Sequence, residues 1–256
     1  MGGENNPGPA PIGVRMTANS NKILLFLDFD GTLTPIRSRP EKARLTEANR
    51  GKLRRLLGQP LVKTVIISGR KLDVLKRLVG IPGFIYVGNH GFEMEVGGKH
   101  RTVAGAKKHL KVMRLINDAL QKGLKIKGCL IENKGLTLSV HYRMIAKTKL
   151  KEFYRLFAEI MKRWRKAVKV TRGKAVYEVR PPLDWDKGRA VLWLIKELKL
   201  SAYQPIYIGD DKTDEDAFKA LKGKGLSILV GRGGRTAADR RLGTIGDVYR
   251  LIGRFA

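Results

Sequence analysis

The sequence predicts an α/β protein: a parallel sheet covered by helices on both faces, interrupted by an inserted α+β unit. Three observations carry this reading. Short apolar runs without polar alternation recur at both ends of the chain, and helical patterns separate them. The stretch between the two ends differs in both periodicity and charge.

The elements follow in order. KILLFLDFD (22–30), VKTVIISG (62–69) and FIYVGN (84–89) read as strands, as do QPIYIGDD (204–211) and LSILVG (226–231) near the end. Continuous apolar runs of this length fit parallel strands buried on both faces. AVLWLIKELKL (190–200) and EDAFKALKG (215–223) read as helices that alternate with the later strands, as a doubly covered sheet requires. In the middle, FEMEV (92–96) and HRTVAG (100–105) read as a hairpin and KKHLKVMRLINDALQKG (107–123) as an amphipathic helix. CLIENKGLTLSVHYR (129–143) reads as two strands around an Asn133–Gly135 turn. KTKLKEFYRLFAEIMKRWRKAV (147–168) sets Leu150, Phe153, Tyr154, Phe157, Ile160, Met161 and Trp164 on one helical face, which predicts the core of this unit. VKVTRG (168–173) and KAVYEVRP (174–181) form a last strand pair. The expected division is a flexible tail over 1–20, rich in Gly, Pro and Asn, a main unit from 21–98 and 180–256, and an inserted unit over 99–179.

Charge marks the same boundaries. The chain has 52 Lys and Arg against 23 Asp and Glu, a formal charge of +29 over 256 residues. Lys99–Lys174 holds 22 of the basic residues and only Asp118, Glu132, Glu152 and Glu159, so +18 of the excess lies in the insertion. At 43% apolar residues the chain can bury a substantial core. The single Cys129 excludes an internal disulfide framework and a cysteine zinc site, which points to a reducing, cytoplasmic setting. The residues before the first apolar run do not read as a secretory signal. That run is interrupted at Asp28, too early to cross a membrane.

The acidic residues concentrate where strands end. Asp28 and Asp30, two apart on extended chain, can face the same side. Ser68 and Arg70 close the second strand, and Asp210 and Asp211 a later one. Open parallel sheets bind ligands beyond the carboxyl ends of their strands, so three chemically distinctive ends meet at one edge. Carboxylates about 4 Å apart repel by roughly 4 kcal/mol at an effective dielectric near 20, so they need a cation or protons. An all-oxygen set suits Mg²⁺. In GDDKTDEDAF (209–218) the preference of helix starts for acidic residues is enough for Asp214, Glu215 and Asp216, but not for Asp210 and Asp211. An EF-hand loop is excluded, because Lys212 occupies its third ligand position.

LDFDGTLTP, IISGR, the Lys of DWDKGRAV and YIGDDKTDEDAF together resemble the four ordered motifs of the haloacid dehalogenase phosphatase superfamily. GNHGFE, ENKGLTLSVHYR, GKAVYEVRP and the wording of GDDKTDEDAF resemble the trehalose-6-phosphate phosphatase family more narrowly, from about Lys22 to near the C-terminus. The resemblance implies a Rossmann-like haloacid dehalogenase core with the inserted α+β unit as its cap. It implies Asp28 as the nucleophile that becomes an aspartyl-phosphate and Asp30 as general acid and base. Ser68 and Lys187 would offset phosphoryl charge. Mg²⁺ would be held by Asp28, the Asp30 carbonyl and Asp210, with Asp211 or Asp214 ordering its waters. Arg70 would hold substrate or form a salt bridge in the core.

The resemblance places substrate choice in the cap and its hinge, at Asn89, His90, Glu132, Lys134, His141, Arg143, Glu178 and Arg180. The expected partner is a small sugar phosphate, trehalose 6-phosphate first. Sucrose phosphate, mannosyl- or glucosyl-3-phosphoglycerate and mannose phosphate are the rivals within the same chemistry. A rival of another class is a basic binding protein with a vestigial phosphatase site. No nucleic-acid motif accompanies the basic cap, so a solvated surface or steering of an anionic substrate is the favoured reading. A monomer and no membrane partner are expected.

Overall fold

The computed structural model describes residues 22–37 and 39–256, so the expected tail over 1–20 lies outside the described residues. Two sheets organise the chain. The larger runs in the order β12-β11-β10-β1-β2-β3-β4-β5. Its strands are β1 (Ile23–Asp28), β2 (Val62–Ile67), β3 (Ile85–Gly88), β4 (Glu93–Val96), β5 (Lys99–Thr102), β10 (Gln204–Gly209), β11 (Leu226–Val230) and β12 (Arg240–Leu242). All neighbours from β12 to β3 pair in parallel, and β4 and β5 add an antiparallel edge.

All six residues of β1 are buried because both faces of the sheet are covered. Leu25 and Leu27 point into a layer with α1 (Glu47–Arg55), α2 (Leu72–Val79) and α7 (Ile245–Ile252). Leu24 and Phe26 point the other way, onto α5 (Lys187–Glu197) and α6 (Glu215–Leu221). Burial of each such Leu or Phe contributes about 1.5–3 kcal/mol, and the two-sided demand explains why the strand shows no alternation. Local signals set the helix starts. Thr46 accepts from the Asn49 amide, Asp186 from the Arg189 amide, and Thr244 forms a reciprocal capping box with Asp247.

The second sheet has the order β6-β7-β9-β8, with β6 (Leu130–Asn133), β7 (Leu138–His141), β8 (Lys169–Gly173) and β9 (Val176–Arg180). α3 (Leu110–Gly123) and α4 (Leu150–Lys162) pack on one face. Ile131, Val140 and Val179 share a core there with Met113, Ile116, Leu120, Phe153, Phe157 and Met161. The apolar stripe read from the sequence lies in this core, with Leu150, Tyr154, Ile160 and Trp164 half-buried at its margin. The opposite face presents Glu132, His141 and Glu178 to the larger sheet's edge.

Three details differ from expectation. The 92–105 hairpin forms, but β4 pairs with β3, so β5 extends the larger sheet and the expected division at 98/99 falls inside the hairpin. α4 ends at Lys162, and Arg163–Ala167 forms turns instead of further helix. β12, a three-residue edge strand whose only buried side chain is Leu242, gave no apolar run to read.

Candidate active site

β10, β1 and β2 are adjacent, with β1 between the strands that precede and follow the insertion. Their carboxyl ends bring Asp28, Ser68 and Asp210 to one crevice at the point where the strand order diverges. After β1 the chain turns back on itself: the amides of Leu33 and Thr34 donate to the Phe29 carbonyl at 3.0 Å, and the Gly31 amide to the Thr34 carbonyl at 2.7 Å. Gly31 has φ +89°, and a Cβ there would lie 2.2 Å from the Asp210 carboxylate. Only glycine permits this turn and this approach.

Lys187, the first residue of α5, is 3% exposed. Its Nζ donates to Asp28 Oδ1 at 2.6 Å and to Asp214 Oδ1 at 2.7 Å. A solvated surface lysine would do neither. Asp214 is fully buried and its acceptor positions are filled: Oδ1 also accepts from Tyr207 Oη at 2.7 Å, and Oδ2 accepts the backbone amides of Asp210 and Asp211, each at 3.0 Å. Asp214 thus fixes the loop that carries Asp210 and Asp211. Asp211 Oδ1 in turn accepts from the amide and hydroxyl of Thr213, at 2.6 and 2.7 Å.

Electrostatics follow from this crowding. Burial, helped by Asp214 and Asp210, raises the Asp28 carboxyl well above the usual range, with Lys187 opposing. Burial pushes Asp210 up to about 6, with Lys174 opposing. Burial works against the charge of Lys187, but Asp214 and Asp28 outweigh it and hold the ammonium well above its ordinary value. Burial likewise opposes the charge of Asp211, yet Lys187 and the Thr213 hydrogen bonds keep it below the carboxylate range. One oxygen from each of Asp28, Asp210 and Asp214 lies within 4.8 Å of the others. Asp214 is saturated by its own four donors, so the hard oxygens that fit a divalent cation here are those of Asp28 and Asp210.

Asp30 is gripped by Arg70, whose Nε and Nη2 donate to its two carboxylate oxygens at 2.7 and 2.6 Å. Ser68 Oγ accepts the Arg70 amide at 3.2 Å and is 2% exposed. Asn89 and His90 both adopt positive φ, at 53° and 57°. They place the His90 ring against Gly69, where a Cβ would be 2.4 Å from it.

The smaller sheet closes over this floor. Lys134 donates to the Gly69 carbonyl at 2.7 Å, and Lys174 to Asp210 Oδ2 at 3.0 Å. Glu178 accepts from Ser139 at 2.8 Å and lies 3.3 Å from His90 Nε2 and 3.5 Å from Lys134 Nζ. Burial would raise Glu178, but Lys134, His90 and Ser139 together hold it far below the usual carboxylate range. Burial lowers His90, with Glu178 opposing. Glu132 Oε2 sits 3.3 Å from His141 Nε2.

The cleft measures about 180 Å³ and is open to solvent. Asp28, Asp30, Ser68, Arg70, His90, Lys187, Asp210 and Asp211 line it from the larger sheet, and Glu132, Lys134, His141, Arg143 and Glu178 from the smaller. Three expected contacts are not on its wall. Asp214 lies beneath, as its four donors require. Asn89 is fully buried, donating to Glu93 and to the Lys134 carbonyl and accepting from Thr137. Arg180 turns to Thr171 Oγ1 at 3.2 Å. Asn89 braces the joint between the sheets, whereas the Arg180 bond stays within the smaller sheet, between β9 and β8. Sequence reasoning missed Arg37, Lys174 and Thr213 on the wall and Tyr207 beneath it. Lys174 stood inside the GKAVYEVRP segment without being singled out, while Tyr207 read as one more apolar strand residue.

Comparison with known proteins agrees with this geometry. The Trehalose-phosphatase family model matches residues 26–240. The trehalose-phosphate phosphatase of Mycobacterium avium is 40% identical over 216 residues, 80% of this chain and 54% of that protein. Probable trehalose-phosphate phosphatase 4 of rice, Oryza sativa subsp. japonica, is 33% identical over 224 residues, 84% of this chain and 60% of that one. The chain therefore spans little more than half the length of these relatives. Among solved structures, the C-terminal domain of C. albicans trehalose-6-phosphate phosphatase superposes with a TM-score of 0.78 at 25% identity, covering 92% of each chain. A trehalose-6-phosphate phosphatase related protein gives 0.77 at 26% identity, covering 90% of this chain and 95% of that one. The chain belongs to the trehalose-phosphatase family.

Proposed function

We propose that the protein is a Mg²⁺-dependent phosphatase that hydrolyses trehalose 6-phosphate to trehalose and inorganic phosphate, with the larger sheet carrying the chemistry and the smaller unit acting as the cap. The observation that carries this reading is the Asp28–Lys187–Asp214 bridge set beside Asp210 at the end of the central strands. The names of the relatives supply the sugar phosphate.

In this reading Asp28 attacks phosphorus, forming an acyl phosphate as the bond from phosphorus to the sugar oxygen breaks. Asp30 delivers a proton to that leaving oxygen. It then takes one from the water that attacks the same phosphorus, which returns Asp28 as carboxylate and releases phosphate. Arg70 must first let go of Asp30, because a carboxylate that accepts two guanidinium hydrogen bonds has no proton to give. The incoming phosphate competes for the same guanidinium and supplies the reason to let go. In this reading Lys187 and Ser68 would offset charge on the transferring group. Mg²⁺, held by Asp28 and Asp210 with the Asp30 carbonyl, would shield nucleophile and substrate from each other's negative charge.

Glu132, Lys134, His141, Arg143 and Glu178 provide the directed hydrogen bonds that a polyhydroxylated sugar needs. The cleft is smaller than the roughly 300–1,000 Å³ of typical ligand pockets but open to solvent, so a disaccharide would either extend out of it or part the cap from the core. The test is phosphate release from a panel of sugar phosphates with Mg²⁺ or with chelator. Trehalose 6-phosphate is expected to be the best substrate, and only with Mg²⁺. A different preferred sugar phosphate would overturn the substrate, and full activity in chelator would overturn the metal.

A further inference from the structure

We infer that the surface at the C-terminal ends of α3 and α4, behind the cap sheet, is a binding face for the phosphate backbone of nucleic acid. The substrate reading leaves this charge unused. Glu132, His141 and Glu178 face the cleft, whereas α3 and α4 lie on the other side of the sheet. Their outer surface is separated from the substrate by the sheet and by a helix layer about 10 Å thick, beyond the roughly 8 Å over which salt screens exposed charge.

The cations on this face are concentrated and unpaired. Lys162, Arg163, Arg165 and Lys166 fall within five residues, all exposed, and no acidic residue occurs from Ile160 to Tyr177. Lys122 joins them, because the last turn of α3 meets α4: a Cβ on Gly123 would lie 2.5 Å from Ile160. Among the described residues none of these five forms an ion pair, while Glu152 and Glu159 are taken by Lys149 and Arg155 of the same helical segment. Two helix ends need about half a unit charge each, far less than five cations supply. Lys162 and Arg165 rim a groove floored by Met161, Val168 and Val170, with the paired Glu159 at one side.

A bilayer is the poorer match. The apolar faces of both helices are spent on the cap core, and the Trp164 ring is half-buried with Arg163 stacked 5.2 Å from its centroid. No apolar stripe is left to enter lipid. A repeating phosphate chain needs only the charge.

Five phosphate contacts predict a log–log salt dependence with a slope of about −4.5 on duplex DNA. The experiment is fluorescence anisotropy with a labelled mixed-sequence duplex from low to physiological salt. It compares wild type, the quadruple variant Lys122→Gln/Lys162→Gln/Arg165→Gln/Lys166→Gln, and a control removing four exposed cations of the larger unit, Lys42, Arg44, Arg54 and Arg55. The first variant is expected to lower the slope by about 3.6 and to weaken binding more than tenfold at physiological salt, with sugar-phosphatase rates unchanged. The control is expected to retain the slope. Equal loss in both variants would mean diffuse charge and would overturn the inference. So would binding to phosphatidylserine vesicles but not to DNA, or no DNA binding at low salt. Because binding is read without turnover, failure here is distinguishable from failure of the phosphatase reading.

Discussion

The two walls of the cleft are built in opposite ways. On the core wall, short carboxylates stand on strand ends and are fixed by backbone amides and buried donors; Asp214 alone holds Asp210, Asp211, Lys187 and Tyr207 together. On the cap wall, long side chains reach across the gap: Lys134 to the Gly69 carbonyl and Lys174, 57% exposed, to Asp210. A reacting phosphorus demands positions fixed to within a fraction of an ångström. A sugar that must enter and leave demands contacts that can break. On the proposed function, rigidity belongs to the wall that would do the chemistry and reach to the wall that would recognise the sugar.

The largest effect should come from Asp28→Asn, which removes the proposed nucleophile and leaves the packing. Turnover is expected to fall by at least about 10⁴-fold, with a melting temperature no lower than wild type, measured by phosphate release and thermal denaturation. Lys187→Ala strands two buried carboxylates and is expected to cost about 3–5 kcal/mol in urea denaturation, besides activity.

The Glu178 cluster, at the joint of the two walls, should show itself through pH. Its carboxyl is depressed in the folded state, so its contribution to stability is complete above its unfolded value near 4.5. It fades as pH falls below that. Glu178→Gln should be less stable than wild type at pH 6, and the gap should narrow by pH 3.5 in paired denaturation curves. Tyr207→Phe removes one of Asp214's four donors from the rigid wall and is expected to cost about 1–3 kcal/mol, with kcat falling and KM little changed. Lys174→Ala, on the reaching wall, should change stability by less than about 1 kcal/mol and act mainly by raising KM.

The contrast also explains what the sequence could disclose. The core wall was legible because its carboxylates stand at strand ends with fixed spacing, as Asp28, Asp30, Asp210 and Asp211 do. Asp214 was placed with them, but its four donors come from residues separated by up to 27 positions, and spacing alone cannot reveal such burial. Asn89 and Arg180 carried the right polarity, yet only three-dimensional pairing decides whether such groups face a cleft, brace the joint as Asn89 does, or pair within their own sheet as Arg180 does. The 93–102 hairpin was readable as a hairpin. Which sheet it extends was not, since that depends on the edge β3 exposes. α4 stops short of its pattern where Arg163–Lys166 gathers four like charges with Lys162, so amphipathic spacing overestimates its length.

The division of labour is tested most directly by measuring kcat/KM for trehalose 6-phosphate and for a small ester without a sugar, para-nitrophenyl phosphate, in Asp28→Asn and Glu132→Gln. Asp28→Asn is predicted to lose both activities. Glu132→Gln is predicted to lose at least about tenfold on trehalose 6-phosphate, the effect of one charged hydrogen bond, and to retain the small ester. Equal loss on both substrates in Glu132→Gln, or retained activity in Asp28→Asn, would contradict the account.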